Sequence, residues 1–509
     1  MEKGVSKLFI IGIDGGDPDF ILGRLKKHLP NINKLAGKGT YGTVLSTIPP
    51  ATIPAWNSFY TGLNPGGHGL YDFTTPPDYH YRVHFINSRH RKPTTFWQLA
   101  GNAGKRCAVL NFPSCYPPEK IQGIMISGFD CPLPSGADRS FIEPQNIYDE
   151  IIKCFGPYRI SGFDQVNLEP ATMSSAAQSL LETAEYKAKV AEWLLKKEKW
   201  DLFMVHFGEV DAACHHFWRY YDSNSPRRRG DEGTQLAEVI PNVYSKIDEM
   251  IGLMMNYIDD KWAVLLISDH GFSGTSRNVF HLNNLLQKAG LLSFKHQGII
   301  SDSFVKKALK YLPVPARKYF FRGLLSKAAD RIEGIRRCGN IDFSGTKAFS
   351  EELNYFPSVR LNLKGKYHSG NVARSDSNKV LKEVESALRE CYDLDGNPII
   401  KNTYRAEEIY FGQYVDQAPD LIIEMNNPGG YINGLLPSSI GGPMARELKS
   451  EEYAGGKGSF PCGGHRRQGF YIFHNAPYPE AGDKELELFD FATFIHYILD
   501  IKAMELPDG

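Results

Sequence analysis

Apolar residues in this chain gather into short, nearly unbroken runs separated by polar turns and glycines. WAVLLIS (262–268), KLFIIGI (7–13), DLFMVHF (201–207), RCAVLNFP (106–113) and IMISGFD (124–130) are each too short for a helix and rich in Val, Ile, Leu and Phe. Continuous runs of this length predict strands buried on both faces, as in a parallel sheet. Between them lie two long segments with helical spacing. Ser174–Lys199 carries Leu180, Leu181, Ala184, Val190, Trp193 and Leu194, and Leu236–Ile258 carries Val243, Ile247, Met250, Ile251 and Met254. Helices so placed serve as crossovers between parallel strands. Later, residues 346–363 alternate like strands, 418–426 form one more apolar run, and Gly469–Phe473 another. The expected fold class is α/β.

The polar residues at the ends of these runs carry the chemistry. Asp14 follows the first run and precedes Gly-Gly-Asp-Pro. Asp269 and His270 follow WAVLLIS directly. Asp211 and His215 follow DLFMVHF four positions apart, which on a helix places them on one face. His465 follows two glycines and precedes a further apolar run. Glycines there are read as permitting sharp turns of positive φ. Open α/β sheets place their sites outside the carboxyl ends of the strands. Mixed carboxylate and imidazole donors suit zinc and similar divalent ions. A hydroxyl stands at Thr52, between Pro49-Pro50 and Pro54 and ahead of an aromatic helix with Trp56, Phe59 and Tyr60. It can be a helix N-cap, or an attacking oxygen held by the prolines around it. His216 reads as a neighbour of the ligand set, and Asp17 as a residue shaping the turn after Asp14.

The segments IGIDGGDP, PPATIPAWNSFYTGLNPGGHGL, EVDAACHH, ISDHGF and the late GGH occur in an order that resembles the alkaline phosphatase superfamily. Within it they are similar to the type I phosphodiesterase/nucleotide pyrophosphatase group, over residues 11 to 465. The resemblance implies an alkaline-phosphatase-like three-layer α/β/α core with a mostly parallel sheet and an inserted cap subdomain. It also implies a site for two divalent ions, zinc or manganese. Asp211, His215 and His465 match the ligands of one ion. Asp14, Asp269 and His270 match those of the other, together with Thr52, whose hydroxyl would attack phosphorus and form a phospho-threonine. Relatives in the pyrophosphatase group carry an Asn where this chain has Phe73. A phosphate oxygen would then need another donor, and Arg89 is the candidate, with Asn57 and His68 as weaker ones. Arg89 also reads as an exposed arginine in a basic loop. Thr52-Ile-Pro-Ala excludes the oxidised Cys or Ser of sulfatases. The surroundings of Thr52 also differ from those of cofactor-independent phosphoglycerate mutases.

Composition narrows the partners. Lys plus Arg equals Asp plus Glu at 58 each, so no general electrostatic case for nucleic-acid binding exists. The eight cysteines are scattered without a C-x-x-C pair, which fits a reducing interior better than a disulfide scaffold. No signal peptide and no run of about 20 apolar residues is found, so a cytoplasmic location is expected. Residues 304–338 hold ten Lys and Arg against two acids, with Leu, Phe and Tyr interleaved. That composition suits either a solvated cap or a peripheral contact with an anionic membrane.

The expected organisation is a first part of the core over 1–294, a basic helical cap insertion over 295–345, and the rest of the core over 346–509. The last part holds a small inserted subdomain and returns to the site at His465. The expected function is metal-dependent hydrolysis of a phosphodiester or pyrophosphate, on a small-molecule or lipid-headgroup substrate. A phosphomonoesterase, a phosphotransferase and a non-catalytic binding relative are the alternatives.

Overall fold

The computed structural model describes residues 4–128, 138–163, 172–230, 234–295, 334, 337–352, 356–394, 396–453, 460–476 and 485–502. Its centre is a nine-stranded sheet. The strands of that sheet are β1 (Lys7–Ile13), β2 (Gly39–Leu45), β3 (Cys107–Leu110), β4 (Gly123–Ile126), β5 (Ile142–Glu143), β6 (Leu202–Phe207) and β7 (Trp262–Ile267), with two more from the C-terminal part. Strand β8 (Gly271–Phe280) follows β7 but leaves this sheet. Strands β9 (Ala348–Phe349), β10 (Ser358–Leu361), β11 (Ile400–Arg405) and β12 (Leu421–Met425) form a second sheet. Strands β13 (Ile432–Leu435), β14 (Ala445–Glu447) and β15 (Gly463–Arg466) pair with β8. Strands β16 (Gln468–His474) and β17 (Leu486–Glu487) return to the central sheet.

The central order is β17-β2-β16-β7-β1-β6-β3-β4-β5. The five strands from β7 to β4 are mutually parallel, whereas β16 is antiparallel to both its neighbours. Every residue of β6 and β7 is buried, as their unbroken apolar runs predict. Helices cover both faces and divide the core in two. Val190, Leu194, Val243 and Ile247 pack on the face of Phe9, Ile11 and Ile13. Trp56, Phe59, Phe96 and Phe491 pack on the face of Leu8 and Ile10. This is the expected three-layer α/β/α core.

The long helical segments lie where their spacing places them, at Met173–Lys197 and Val239–Met255. The second is broken at Glu238 from a short preceding turn, Thr234–Ala237. The second sheet has a core of its own, in which Leu282, Leu285 and Leu286 join Val359, Leu361, Val384 and Leu421. Strand β8 is the middle of a third sheet, pairing with β15 through its first residues and with β13 and β14 through its later ones. Nearly all of the basic tract 304–338 lies outside the described residues. Arg337, near its end, is buried between Asp72 and Glu351 at 3.1 Å from each. Among the described residues no helix is long and apolar enough to cross a membrane.

Candidate active site

Three neighbouring parallel strands, β7, β1 and β6, end at the same edge of the sheet and deliver Asp269, Asp14 and the Asp211 helix to one place. Asp14 follows β1, and Gly15 turns the chain with φ +66°. A Cβ at Gly15 would stand 2.8 Å from the Phe272 ring, so only glycine fits. The Gly15 N–H donates to Asp269 Oδ1 at 3.1 Å and ties the first strand end to the second. The helix Glu209–Tyr221 carries Asp211 and His215 one turn apart, with His215 Nε2 3.2 Å from Asp211 Oδ1.

His465 reaches the same spot from β15, where it pairs with Phe272. Its Nε2 lies 3.2 Å from Asp211 Oδ1 and 3.0 Å from His215 Nε2, and its ring stacks on His270 at 3.6 Å between centroids. The glycines before it are extended rather than turned. Their value is space, because a Cβ on Gly463 would stand 2.2 Å from the Cys214 carbonyl of the Asp211 helix.

The imidazoles are oriented by backbone carbonyls. His215 Nδ1 donates to Gly463 O at 2.8 Å, His465 Nδ1 to Pro50 O at 2.8 Å, and His270 Nδ1 to Gly271 O at 3.2 Å. A carbonyl only accepts, so the proton sits on Nδ1 and each Nε2 lone pair faces the carboxylates. Such carbonyl contacts are the usual second tier around metal-binding histidines. Burial lowers His270 to about 3 and His465 to about 4, which keeps those two rings neutral. Burial and the adjacent Asp14 carboxylate push Asp269 well above the usual carboxylate range.

Asp14, Asp269 and His270 place donor atoms within 4.8 Å of one another, and so do Asp211, His270 and His465. His270 thus touches both groups. We place it with Asp14 and Asp269, because its Nε2 is 3.5 Å from Asp14 Oδ1 and 3.2 Å from Asp269 Oδ2. Three buried carboxylates repel one another in a dry site unless positive charge joins them. The donor set therefore fits divalent ions, which three imidazoles and three carboxylates can hold.

Thr52 is the first residue of the helix Thr52–Thr61, and Ala51 takes the cap position with extended backbone. The Thr52 side chain makes no cap bond, and its Oγ1 is buried 3.5 Å from His270 Nε2. Phe73 packs with Ile53, Leu70 and Ile86, beside the start of that helix. Asn57 lies one turn further on, where its amide is engaged by Ile53 O, Ser114 Oγ and Arg91 Nη1. Arg89 is exposed in a short turn, Ser88–His90. His68 is buried against Ser58 Oγ at 3.0 Å. His216 points its ring toward Phe163.

Asp17 does more than shape a turn. It accepts from Phe272 N–H at 2.9 Å and from Arg466 Nε and Nη2 at 2.8 Å each, joining the Asp14 turn to the strands on either side of the site. Two further residues escaped the sequence reading. His206 Nε2 lies 3.1 Å from Asp14 Oδ2, and Trp56 Nε1 lies 3.4 Å from the same oxygen. A lone polar residue inside the apolar run LFMVHF was the signal available for the first.

The family model for type I phosphodiesterase/nucleotide pyrophosphatase matches residues 8–434. The chain belongs to this family. It is accordingly a phosphohydrolase of the phosphodiesterase/pyrophosphatase type, acting on phosphoester bonds. No curated protein matches the chain. Among solved structures it is similar to murine ectonucleotide pyrophosphatase/phosphodiesterase 5, an inactive variant in complex with AMP, at 13% identity and TM-score 0.51 over 99% of this chain and 97% of that one. It is also similar to phosphonoacetate hydrolase from Sinorhizobium meliloti in complex with phosphonoformate, at 13% identity and TM-score 0.53 over 98% of this chain and 96% of that one. At this identity the two share the fold of this family member.

Proposed function

We propose that this protein cleaves a phosphodiester or pyrophosphate by way of a covalent phospho-threonine on Thr52, at a site for two divalent ions. The observation that carries the reading is the meeting of five metal-type side chains, with His215 beside Asp211 and His465 as the sixth, and a buried Thr52 hydroxyl at a helix N-terminus. Asp211, His215 and His465 would hold one ion, and Asp14, Asp269, His270 and Thr52 the other. Zinc or manganese, when bound there, supplies Lewis-acid stabilisation of the phosphoryl oxygens and eases ionisation of a nearby hydroxyl.

The chain's own groups supply position and charge. The Thr52 and Ile53 amides head a helix without partners one turn earlier, so they and the helix dipole favour an anionic phosphate. Thr52 Oγ1 bonds to phosphorus while the bond from phosphorus to the departing alcohol or phosphate oxygen breaks, and the proton that Thr52 gives up passes through water to that departing oxygen. Water then attacks the phospho-threonine, releasing the phosphate product and restoring the hydroxyl. The Phe73–Ile53 contact supplies an apolar wall beside the nucleophile, which suits a bulky second substituent on the ester. The murine neighbour is in complex with AMP and the Sinorhizobium meliloti hydrolase with phosphonoformate, which makes small phosphorus esters and phosphonates the first substrates to try.

The test is hydrolysis of bis-p-nitrophenyl phosphate beside p-nitrophenyl phosphate by zinc- or manganese-loaded protein. Faster release from the diester, dependent on Thr52, is the expected result. Faster release from the monoester would shift the reading to a phosphatase or phosphotransferase.

A further inference from the structure

We propose that His206 is a positioning residue for Asp14, donating from Nε2 to Asp14 Oδ2 so that Oδ1 is turned toward His270 and Asp269. The proposal rests on the two-ion reading above and extends it to one ligand's orientation. Strand β6 pairs with β1 so that His206 stands opposite Gly12, two residues before Asp14 and therefore on the same face of the sheet. A Cβ at Gly12 would be 2.9 Å from both the Phe112 and Trp56 rings, so the missing side chain makes room for an aromatic housing. The His206 ring sits in it, 5.2 Å from each ring between centroids. His206 itself is fully buried.

Asp14 Oδ2 therefore meets two N–H groups, His206 Nε2 at 3.1 Å and Trp56 Nε1 at 3.4 Å. An ionised carboxylate only accepts, so the His206 proton sits on Nε2. That tautomer is opposite to the one held by His215, His270 and His465, whose Nδ1 atoms face carbonyls. Asp269 is held in a similar way, with Oδ1 bonded to Gly15 N–H and Oδ2 facing His270 Nε2 at 3.2 Å. Each carboxylate is thus pinned by one oxygen and presents the other. His206 belongs to the support of the site, not to the set that would touch the ion.

The experiment is a zinc titration of metal-free protein against a chromophoric chelator, for wild type, His206→Leu, His206→Gln and Trp56→Phe. Circular dichroism follows the fold, and visible absorption is read on the cobalt-loaded forms. Wild type is expected to take up two zinc ions. Loss of an outer hydrogen bond to a ligand typically weakens metal binding about 10–100-fold. His206→Leu should show such a loss at one of the two sites and leave the other unchanged. His206→Gln, whose amide N–H can replace Nε2, should recover most of the loss and keep the wild-type cobalt bands. Trp56→Phe should weaken the same site less, and it decides the matter should the Leu variant fail to fold. Unchanged zinc affinity in His206→Leu, equal weakening of both sites, or altered cobalt bands in His206→Gln would each overturn the proposal. A wild type that binds no zinc would remove the two-ion reading and this inference together.

Discussion

At the scale of single residues, the site is built from side chains that have little choice of orientation. Thr52 Oγ1 is buried beside His270 and makes no cap bond, so its removal should cost chemistry rather than fold. Thr52→Ala is expected to keep wild-type metal content and unfolding temperature while losing turnover by roughly 1000-fold or more, as nucleophile deletions do. Metal analysis beside the ester assay checks it, and near-normal turnover would remove Thr52 from its role. His68 gives a separate, pH-linked expectation. Burial lowers it from 6.5 to about 3. Between those values the unfolded chain binds the proton and the folded one does not, so the His68 contribution is present above pH 6.5 and lost as pH falls toward 3. The slope reaches roughly 1.4 kcal/mol per pH unit for one such group. Metal-free His68→Asn should therefore lose stability less steeply than metal-free wild type across this range, in denaturant titrations at stepped pH. The candidate ligands Asp14, Asp269 and His270 were legible because a carboxylate or imidazole directly after an apolar run stands out. The Asp17–Arg466 pair was not, since 449 positions separate its members and only folding brings them together.

At the scale of elements, β15 and the Asp211 helix approach so closely that one glycine decides their spacing. Gly463→Ala would drive a Cβ into the Cys214 carbonyl, a backbone atom that cannot swing aside. Overpacking of this kind costs about 1–3 kcal/mol. Because β15 carries His465 and the helix carries Asp211 and His215, the variant should lose zinc as well as thermal stability. Gly464→Ala is the control, since its Cβ would meet only side-chain methyl groups of Ile432 and Thr275 at 3.2 Å. Calorimetry and zinc content of the two variants test the contrast; equal behaviour would show that the contact has slack. The parallel core strands β1, β3, β4, β6 and β7 were legible from their apolar runs, and the Asp211 and Thr52 helices from spacing and prolines. The placing of His465 within a strand was not, because GGH reads as a turn until β8 is there to pair with it.

At the scale of the whole molecule, candidate ligands from residues 14 to 465 meet at the carboxyl ends of the parallel strands, so a bound metal and the fold should stabilise each other. An ion that binds the folded chain and not the unfolded one adds stability in proportion to the logarithm of its free concentration. Dialysis against EDTA should lower the unfolding temperature, and zinc added back should restore it. An unfolding temperature indifferent to both would argue against metal at this site. By itself the sequence determined the buried strands, the crossover helices and the residues at their ends, because each depends on contiguous hydrophobicity and local chain geometry. Tertiary structure alone decided which oxygen of each carboxylate faces the site, that Arg91 and not Arg89 is the buried arginine engaging Asn57, and that His206 supports Asp14. Those outcomes depend on strand order, on register, and on the space left by glycines at Gly12 and Gly463. None of these can be read from a stretch of chain before its distant neighbours are in place.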